Sequence, residues 1–336
     1  MDLDLLLGIG RFVLATTLLL LLTIPTAFII IYLELKVIAL MQLRIGPNRV
    51  GPAGVFQSAI HGFKVLAKED FTPDRADRPI FTMAPWIVFM AAAMSMLVIP
   101  FAPGLVAIDS EISIVYFFAI IGLSVVGLLT AGWASYNKYS LLGGLRSAAQ
   151  MVSYEIPLTL SIVGVVVLTG TLSFTDVIDW QRMHGWSIVW QWIGFPVFLI
   201  ASTAEINRTP FDMVEADSEI VAGFATEYSG MRFGFFFFAE YVSLFIMSAI
   251  LVTLFLGGWL APWPFPAQLD GFAGVVYGLF WFLLKTYFFV IASIWARATL
   301  PRVRVDQLMG MAWKVLLPLA LVNLFVTAIV VVVFNL

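Results

Sequence analysis

The chain has 336 residues, 61% of them hydrophobic and 12% charged, with a formal net charge of -3 and a mean hydropathy of +1.00. A soluble domain is about half apolar and about a quarter charged, so this composition excludes a soluble globule and predicts an all-α, polytopic membrane protein. The absence of cysteine and the presence of only two histidines, His61 and His184, remove the thiolates that an iron–sulfur cluster needs and leave little to hold haem or zinc.

A membrane-crossing helix needs roughly 20 apolar residues. Stretches of that kind predict eight spans, at about 10–33, 80–102, 113–134, 151–171, 187–205, 234–256, 275–297 and 309–333. Asp2, Asp4 and Arg11 precede an apolar run over 12–33 without a small-residue cleavage site, which predicts a retained first span rather than a removable signal peptide. Eight spans form one transmembrane helical domain over 1–336 and put both termini on one side. The connections on the other side, 34–79, 135–150, 206–233 and 298–308, together with the adjoining span ends hold fourteen basic residues, among them Lys36, Arg44, Arg49, Arg208, Arg297 and Arg302. The outward segments hold only Arg11 and Arg182, so the positive-inside rule places both termini outside.

Within 34–79, Phe56, Ile60, Phe63 and Leu66 recur at helical spacing opposite Gln57, His61, Lys64 and Lys68, predicting an amphipathic helix in the interface. The outward segment 259–268, with Pro262, Pro264 and Pro266 among tryptophans, reads as a turn anchored in the aromatic belt. No internal repeat is evident, which weighs against a stand-alone carrier built from inverted halves.

Seven of the 21 acidic residues lie between Glu205 and Glu240: these two, Asp212, Glu215, Asp217, Glu219 and Glu227. A solvated acidic loop is the ordinary fate of a charge run and suits Asp212 and Asp217. It does not suit Glu205, Glu240 or Glu155, each set in apolar sequence at the level of a span, where a charge must be paired, protonated or facing water. Carboxyl groups sharing such an interior are coupled, which is what a proton relay requires. Lys285, near the middle of the seventh span, is expected to pair with an intramembrane carboxylate or to serve in proton transfer. Glu34 ends the first span, and Lys36, Arg44 and Arg49 follow around Gly46-Pro47 and Gly51-Pro52; these charges fit either a membrane-surface anchor or the rim of a cavity. Arg297 and Arg302, after the seventh span, read from the residues alone as positive-inside anchors. His61 and His184 are read as exposed interfacial residues, and Phe235 to Phe238 as a packing or lipid-facing surface.

The strings RIGPNRVGP at 44–52, KED at 68–70, GWAS at 132–135, KYSLLG at 138–143, LRSAAQ at 145–150, SYE at 153–155, RTPFD at 208–212, TEYSGM at 226–231 and PRVRVDQ at 301–307 occur in that order along nearly the whole chain. Together they resemble the H subunit of bacterial respiratory complex I, the mitochondrial ND-one homologue, a component of NADH:quinone oxidoreductase. The resemblance implies a subunit at the junction of the membrane and peripheral arms that helps form an elongated quinone cavity. It also implies a buried series of acids leading toward antiporter-like subunits. By motif position it assigns Glu34, Lys36, Arg44, Arg49, Arg297 and Arg302 to the quinone cavity. The proton path takes Glu155, Glu205, Glu215, Asp217, Glu219, Glu227, Glu240 and Lys285. Quinone is then the substrate, NADH, FMN and iron–sulfur clusters belong to partner subunits, and the isolated chain is expected to do nothing alone. Two positions depart from the family pattern: Leu35 replaces one member of a basic pair, and Val214-Glu215-Ala216-Asp217 lacks a helix-initiating proline and carries a shortened acid. The alternatives are the anchor subunit of a related hydrogenase or ferredoxin-linked complex and, from another class, an independent ion transporter.

Overall fold

The computed structural model describes residues 3–213, 221–262 and 271–334, and within 3–22 only the side chains of Gly10 and Thr17. The regular elements among them are helical: α1 (Leu3–Met41), α2 (Gln57–Leu66), α3 (Arg78–Ser95, ending in a 3-10 turn), α4 (Ser113–Ala134), α5 (Lys138–Thr169), α6 (Phe174–His184), α7 (Gly194–Glu205), α8 (Gly230–Phe255), α9 (Gly271–Thr299) and α10 (Val305–Phe334, through a π-turn at Ala312–Leu316). Seven of them, α1, α3, α4, α5, α8, α9 and α10, are long and apolar enough to cross a membrane. The chain is a polytopic, all-α membrane protein.

Helix α8 is the central pillar. In its most apolar stretch 72% of the residues are buried, against 28% in α1, α4 and α9 and 22% in α10. The peripheral helices therefore turn apolar residues outward, such as Phe325, Ile329 and Val332 of α10, where lipid and not water is the compatible neighbour. Helix α3 packs on α4 and α8, α5 on α4, α7 and α10, and α1 on α8 and α9. The start of α3 meets the end of α4 through Asp77 N–H to Ala134 O (3.1 Å), and the start of α4 meets the end of α5 through Ile114 N–H to Leu172 O (3.1 Å). These contacts define a proximal end, holding Met41, Arg78, Ala134 and Thr299, and a distal end, holding Val98, Thr169 and Phe255.

Three expected boundaries move, each for a physical reason. Helix α5 begins at Lys138, so 138–150 is not a loop: Asn137 caps it, its Oδ1 accepting from Tyr139 N–H at 3.0 Å. Ser140, Ser147 and Gln150, which help hide this stretch from a hydropathy reading, are buried against protein, with Ser140 Oγ donating to Phe224 O (3.0 Å), and a Cβ at Gly143 would lie 2.5 Å from Gly223 Cα. Helix α1 runs on to Met41, so the charged residues Glu34 and Lys36 are helical and not in a connection. The fifth span is broken. Helix α7 has 12 residues, about 18 Å at 1.5 Å per residue, too short to cross a hydrocarbon core of about 30 Å.

Past α7 the chain continues inside the protein without regular structure, and Ile206, Arg208, Phe211, Asp212 and Met213 are all buried. Irregular backbone at membrane depth is tolerated only where protein or a cavity satisfies it. Gln150 of α5 supplies that here, its Nε2 donating to Ala204 O (2.8 Å) and to Phe211 O (2.9 Å) on the two sides of the segment. Asn207 takes the left-handed conformation (φ 56) that asparagine enters more readily than most residues.

Helix α2 lies against α1 and α8. A Cβ at Gly62 would stand 2.9 Å from Phe28 Cζ, so glycine lets the two helices close up. Phe63 and Leu66 stay exposed, as an interfacial amphipathic helix requires. The turn after α8 uses Gly257 and Gly258 at positive φ (73 and 51). Trp259 there is buried and not in an aromatic belt, while 263–270 lie outside the described residues. Helix α6 has no counterpart among the predicted elements. Ser173 Oγ, 3.5 Å from Asp176 N–H, caps it, and Phe174, Val177, Ile178 and Gln181 form its buried face.

Candidate functional site: a buried chain of alternating charges

The break after α7 puts Arg208, 3% exposed, between two helices that each present a carboxylate. Its Nη1 donates to Glu34 Oε2 of α1 at 2.8 Å, and its Nε lies 2.8 Å from Glu240 Oε1 of α8. The Nε–H does not point along that second line, so the Glu240 contact is an ion pair without a directional hydrogen bond; Nη2 has no partner among the described residues. The guanidinium lies 4.4 Å from the centre of the Tyr241 ring. Burial works against the charge on Arg208, and the two carboxylates beside it offset that cost. Arg297 of α9 donates through Nη1 to Glu34 Oε1 at 2.7 Å. The result is a continuous alternation of Glu240, Arg208, Glu34 and Arg297 across α8, the broken segment, α1 and α9. Beside it, Arg302 Nη2 pairs with Asp212 Oδ2 at 3.0 Å.

Asp212 is therefore not part of a solvated loop. It is 7% exposed, and Oδ1 has no hydrogen-bond partner among the described residues. The expectation failed because the segment carrying Asp212 folds back into the protein, which charge density in a sequence does not reveal.

A cavity of about 80 Å³ adjoins the chain of charges; Glu205, Asn207, Glu240, Ser124 and Ser243 form its polar side, and the rest of its wall is apolar, with Met151 and Phe236 among it. Glu205 is 3% exposed, and neither of its carboxylate oxygens has a partner among the described residues. Glu155 on α5 is close enough to repel its charge. Glu240 keeps 22% of its side-chain surface open, and that surface faces the cavity it lines. Two apolar cavities flank the other side of α8. One of about 270 Å³ is bordered by Phe28, Ile31, His61, Val65 and Phe237. The other, of about 340 Å³, is bordered by Ile24, Phe63, Leu66, Phe89 and Phe235. Ile31 stands one helical turn before Glu34, so the first of these lies next to the charged chain.

A family model described as NADH dehydrogenase matches residues 14–328. The chain belongs to that family. Similar proteins named as the H subunit of NADH-quinone oxidoreductase include one from Brevibacillus brevis, 51% identical over 95% of this chain and 93% of its own length. Those from Anoxybacillus flavithermus and Geobacillus kaustophilus are 52% and 49% identical, covering 88% and 93% of this chain and 87% and 92% of their own lengths. In this member of the NADH dehydrogenase family the residues singled out from sequence fall into distinct groups. Glu34 and Arg297 join the chain of charges, Arg302 stands beside it, and Glu205 and Glu240 share the cavity with Glu155 nearby.

Others lie apart. Glu227 accepts from Asn137 Nδ2 at 2.6 Å, at the start of α5. Arg44 and Arg49 are exposed, with Arg44 Nε donating to Gln42, and Lys36 stands 5.9 Å from the Tyr32 ring centre. Leu35 packs against the apolar core. Glu215, Asp217 and Glu219, with Val214, lie outside the described residues. Lys285 pairs with no carboxylate among the described residues: its Nζ donates to Leu256 O (2.7 Å) and Leu260 O (2.8 Å) and sits 5.7 Å from the Trp186 ring centre. That places it at the distal end of α8, about 24 Å along the helix from Glu240 at 1.5 Å per residue. It satisfies carbonyls that the end of a helix leaves open. His61 and His184 are exposed, as expected, and Phe236 is buried while Phe237 is not.

Sequence reasoning missed Arg208 as a functional residue. The available signal was that it is the sole basic residue between Glu205 and Glu227. It also missed a second buried polar cluster at the distal end. There Gln191 Nε2 donates to Thr327 Oγ1 (2.7 Å) and Gly164 O (3.1 Å), and its Oε1 accepts from Asn323 Nδ2 (2.6 Å).

Proposed function

We propose that this chain is the membrane subunit of a proton-translocating NADH:quinone oxidoreductase, where it forms part of the quinone cavity and the first buried acids of the proton path. The observation that carries this reading is that Glu34 and Glu240 share one buried arginine. Glu34, paired with Arg297, stands one helical turn beyond Ile31, which borders the apolar cavity between α1, α2 and α8, a space that suits a quinone and its hydrocarbon tail. Glu240 and Glu205 border the other cavity, with Glu155 nearby on α5. A change of charge on the quinone side is therefore felt on the acid side through Arg208, without a carrier moving between them.

Reduction of a quinone to quinol takes two electrons and two protons. The chain has no cysteine, so the electrons come from an iron–sulfur centre on a partner subunit, as do the binding sites for NADH and FMN. The residues here do the remainder: the arginines orient and neutralise the reduced headgroup, and the carboxylates hold or release protons as the local field changes. Lys36, Arg44 and Arg49 belong to the cavity mouth, and Arg302 holds Asp212 at its inner rim. Glu215, Asp217, Glu219 and Glu227 continue the acid series, and Lys285 lies beyond it on α9. The partners are peripheral-arm subunits at the quinone site and small membrane subunits leading to antiporter-like ones. The chain resides in the bacterial plasma membrane as one transmembrane unit over 1–336, with α7 and the irregular chain after it together making an eighth passage and both termini outside.

The test is to replace Glu240 or Glu219 by glutamine in the intact complex and to measure quinone reduction and proton pumping in membrane vesicles. Loss of pumping is expected; wild-type values for both activities would overturn the assignment of those acids.

A further inference from the structure

The cavity that Glu205 and Glu240 border does not end at Glu240. One turn deeper, at the meeting of α3, α4 and α8, lies a smaller cavity of about 20 Å³ that shares Ile121, Ser124 and Ser243 with the first and adds Ser95. Three hydroxyls from three helices thus converge on a line running from the carboxylates toward the interior of the bundle. Ser124 Oγ donates to Ile121 O (2.6 Å) and Ser95 Oγ to Ala91 O (2.8 Å). The protons of those two hydroxyls are committed to their own helices, and only their lone pairs face the cavity. Ser243 is different: among the described residues its hydroxyl makes no hydrogen bond at all, and it borders both cavities.

The acceptors around the larger cavity need donors that the described part of the chain does not provide. Both oxygens of Glu205 and the Oδ1 of Asn207 are buried without a partner there. Buried polar atoms of this kind are satisfied by water where there is room for it, and both cavities, of about 80 and 20 Å³, exceed the roughly 10–15 Å³ of such space that one water needs. We infer that Ser243 is the relay that carries protons from the water-filled chamber of Glu205 and Glu240 into the α3–α4–α8 interior. Its hydroxyl accepts a hydrogen bond from chamber water and donates one onward to water held by the lone pairs of Ser124 and Ser95. A proton then passes by exchange, one O–H bond forming as another breaks, with no net charge left on the serine. The inference rests on the acid role proposed above and adds a direction to it.

Threonine and valine have nearly the same shape and differ by the hydroxyl, so they separate relay from packing at this position. In the complex in native membrane vesicles, Ser243→Thr should pump protons at close to the wild-type rate per NADH oxidised, and Ser243→Val about tenfold more slowly. The slow variant should also show a different solvent deuterium isotope effect on pumping. Equal pumping by the two variants, whether full or lost, would overturn the relay. If neither β-branched variant assembles, Ser243→Ala takes their place, and full pumping by it overturns the inference. Glu205→Gln in the same assay keeps the two ideas apart: normal pumping by that variant sinks the acid role itself, whereas normal pumping by Ser243→Val alone leaves the acid role standing.

Discussion

The two ends of the bundle both bury polar side chains at membrane depth, and they do so in opposite ways. At the distal end the clusters around Gln181 and Gln191 are neutral amides and hydroxyls whose bonds close on one another, and the one cation, Lys285, is held by backbone carbonyls. Gln181 Nε2 donates to Thr253 O (2.9 Å) and its Oε1 accepts from Ser187 N–H (3.3 Å), while Gln191 binds α5 and α10 together. Glycines are required there: a Cβ at Gly164 or Gly194 would fall 2.7 or 2.8 Å from the Asn323 or Gln191 amide. At the proximal end the groups are charged, and several atoms are left over: Arg208 Nη2, Asp212 Oδ1 and both oxygens of Glu205. A satisfied network has one low-energy arrangement and holds helices in place. An array with spare donors and acceptors beside a cavity can rearrange its protons and charges without dismantling the fold. The distal cluster is a fastening, and the proximal one is the working part.

The largest effect that would separate them is removal of Arg208. Arg208→Ala leaves Glu240 buried without its counter-charge and Glu34 with Arg297 alone, and breaking a buried pair from one side costs about 3–5 kcal/mol. Reduced yield and thermal stability of the solubilised complex are expected, with loss of quinone reduction in what remains; a stable, active variant would show that Arg208 is not the joint. Gln191→Ala tests the other end. It removes two donated bonds and one accepted one, worth roughly 1–3 kcal/mol. Stability should fall, but activity per assembled complex should not, and a selective loss of pumping would erase the distinction drawn here.

Much of this was legible from the chain itself. The third span, 113–134, coincides with α4 because an uninterrupted apolar run in lipid leaves no other reading. The family motifs pointed to Glu34, Glu205, Glu240 and Arg297, which the fold does bring close to one another. The broken fifth span was not legible, because 187–205 is apolar enough to cross. Its interruption is fixed by bonds from Gln191 to residues of α5 and α10 far away in sequence. Nor was the burial of Asp212, which depends on Gln150 stapling the segment that follows α7. Of the two expectations for Lys285, pairing with a carboxylate fails among the described residues for a related reason: open carbonyls at the end of α8 are nearer.

A smaller effect is expected at Glu205. Its carboxylate makes no bond with the described part of the chain, so Glu205→Gln keeps shape and packing while removing the titrating group. The complex should assemble normally and pump about tenfold more slowly, measured by dye-reported acidification of vesicles. Failure to assemble would instead place Glu205 among the fastenings.

The smallest effect should come from Arg302. Its side chain is 42% exposed, so water and salt screen its pair with Asp212, and such a pair contributes about 0–1 kcal/mol. Arg302→Gln should therefore leave stability almost unchanged. It does remove the charge that faces the buried Asp212 carboxylate at the rim of the site, so the KM for a short-chain quinone should rise a few-fold while kcat holds. Added salt should narrow the gap between wild type and variant, since the wild-type contact is the one that screening weakens. The fully buried Arg208 should show no such sensitivity. If salt left the Arg302 difference untouched, the rim would be as enclosed as the centre, and the grading of this site from open edge to dry core would fail.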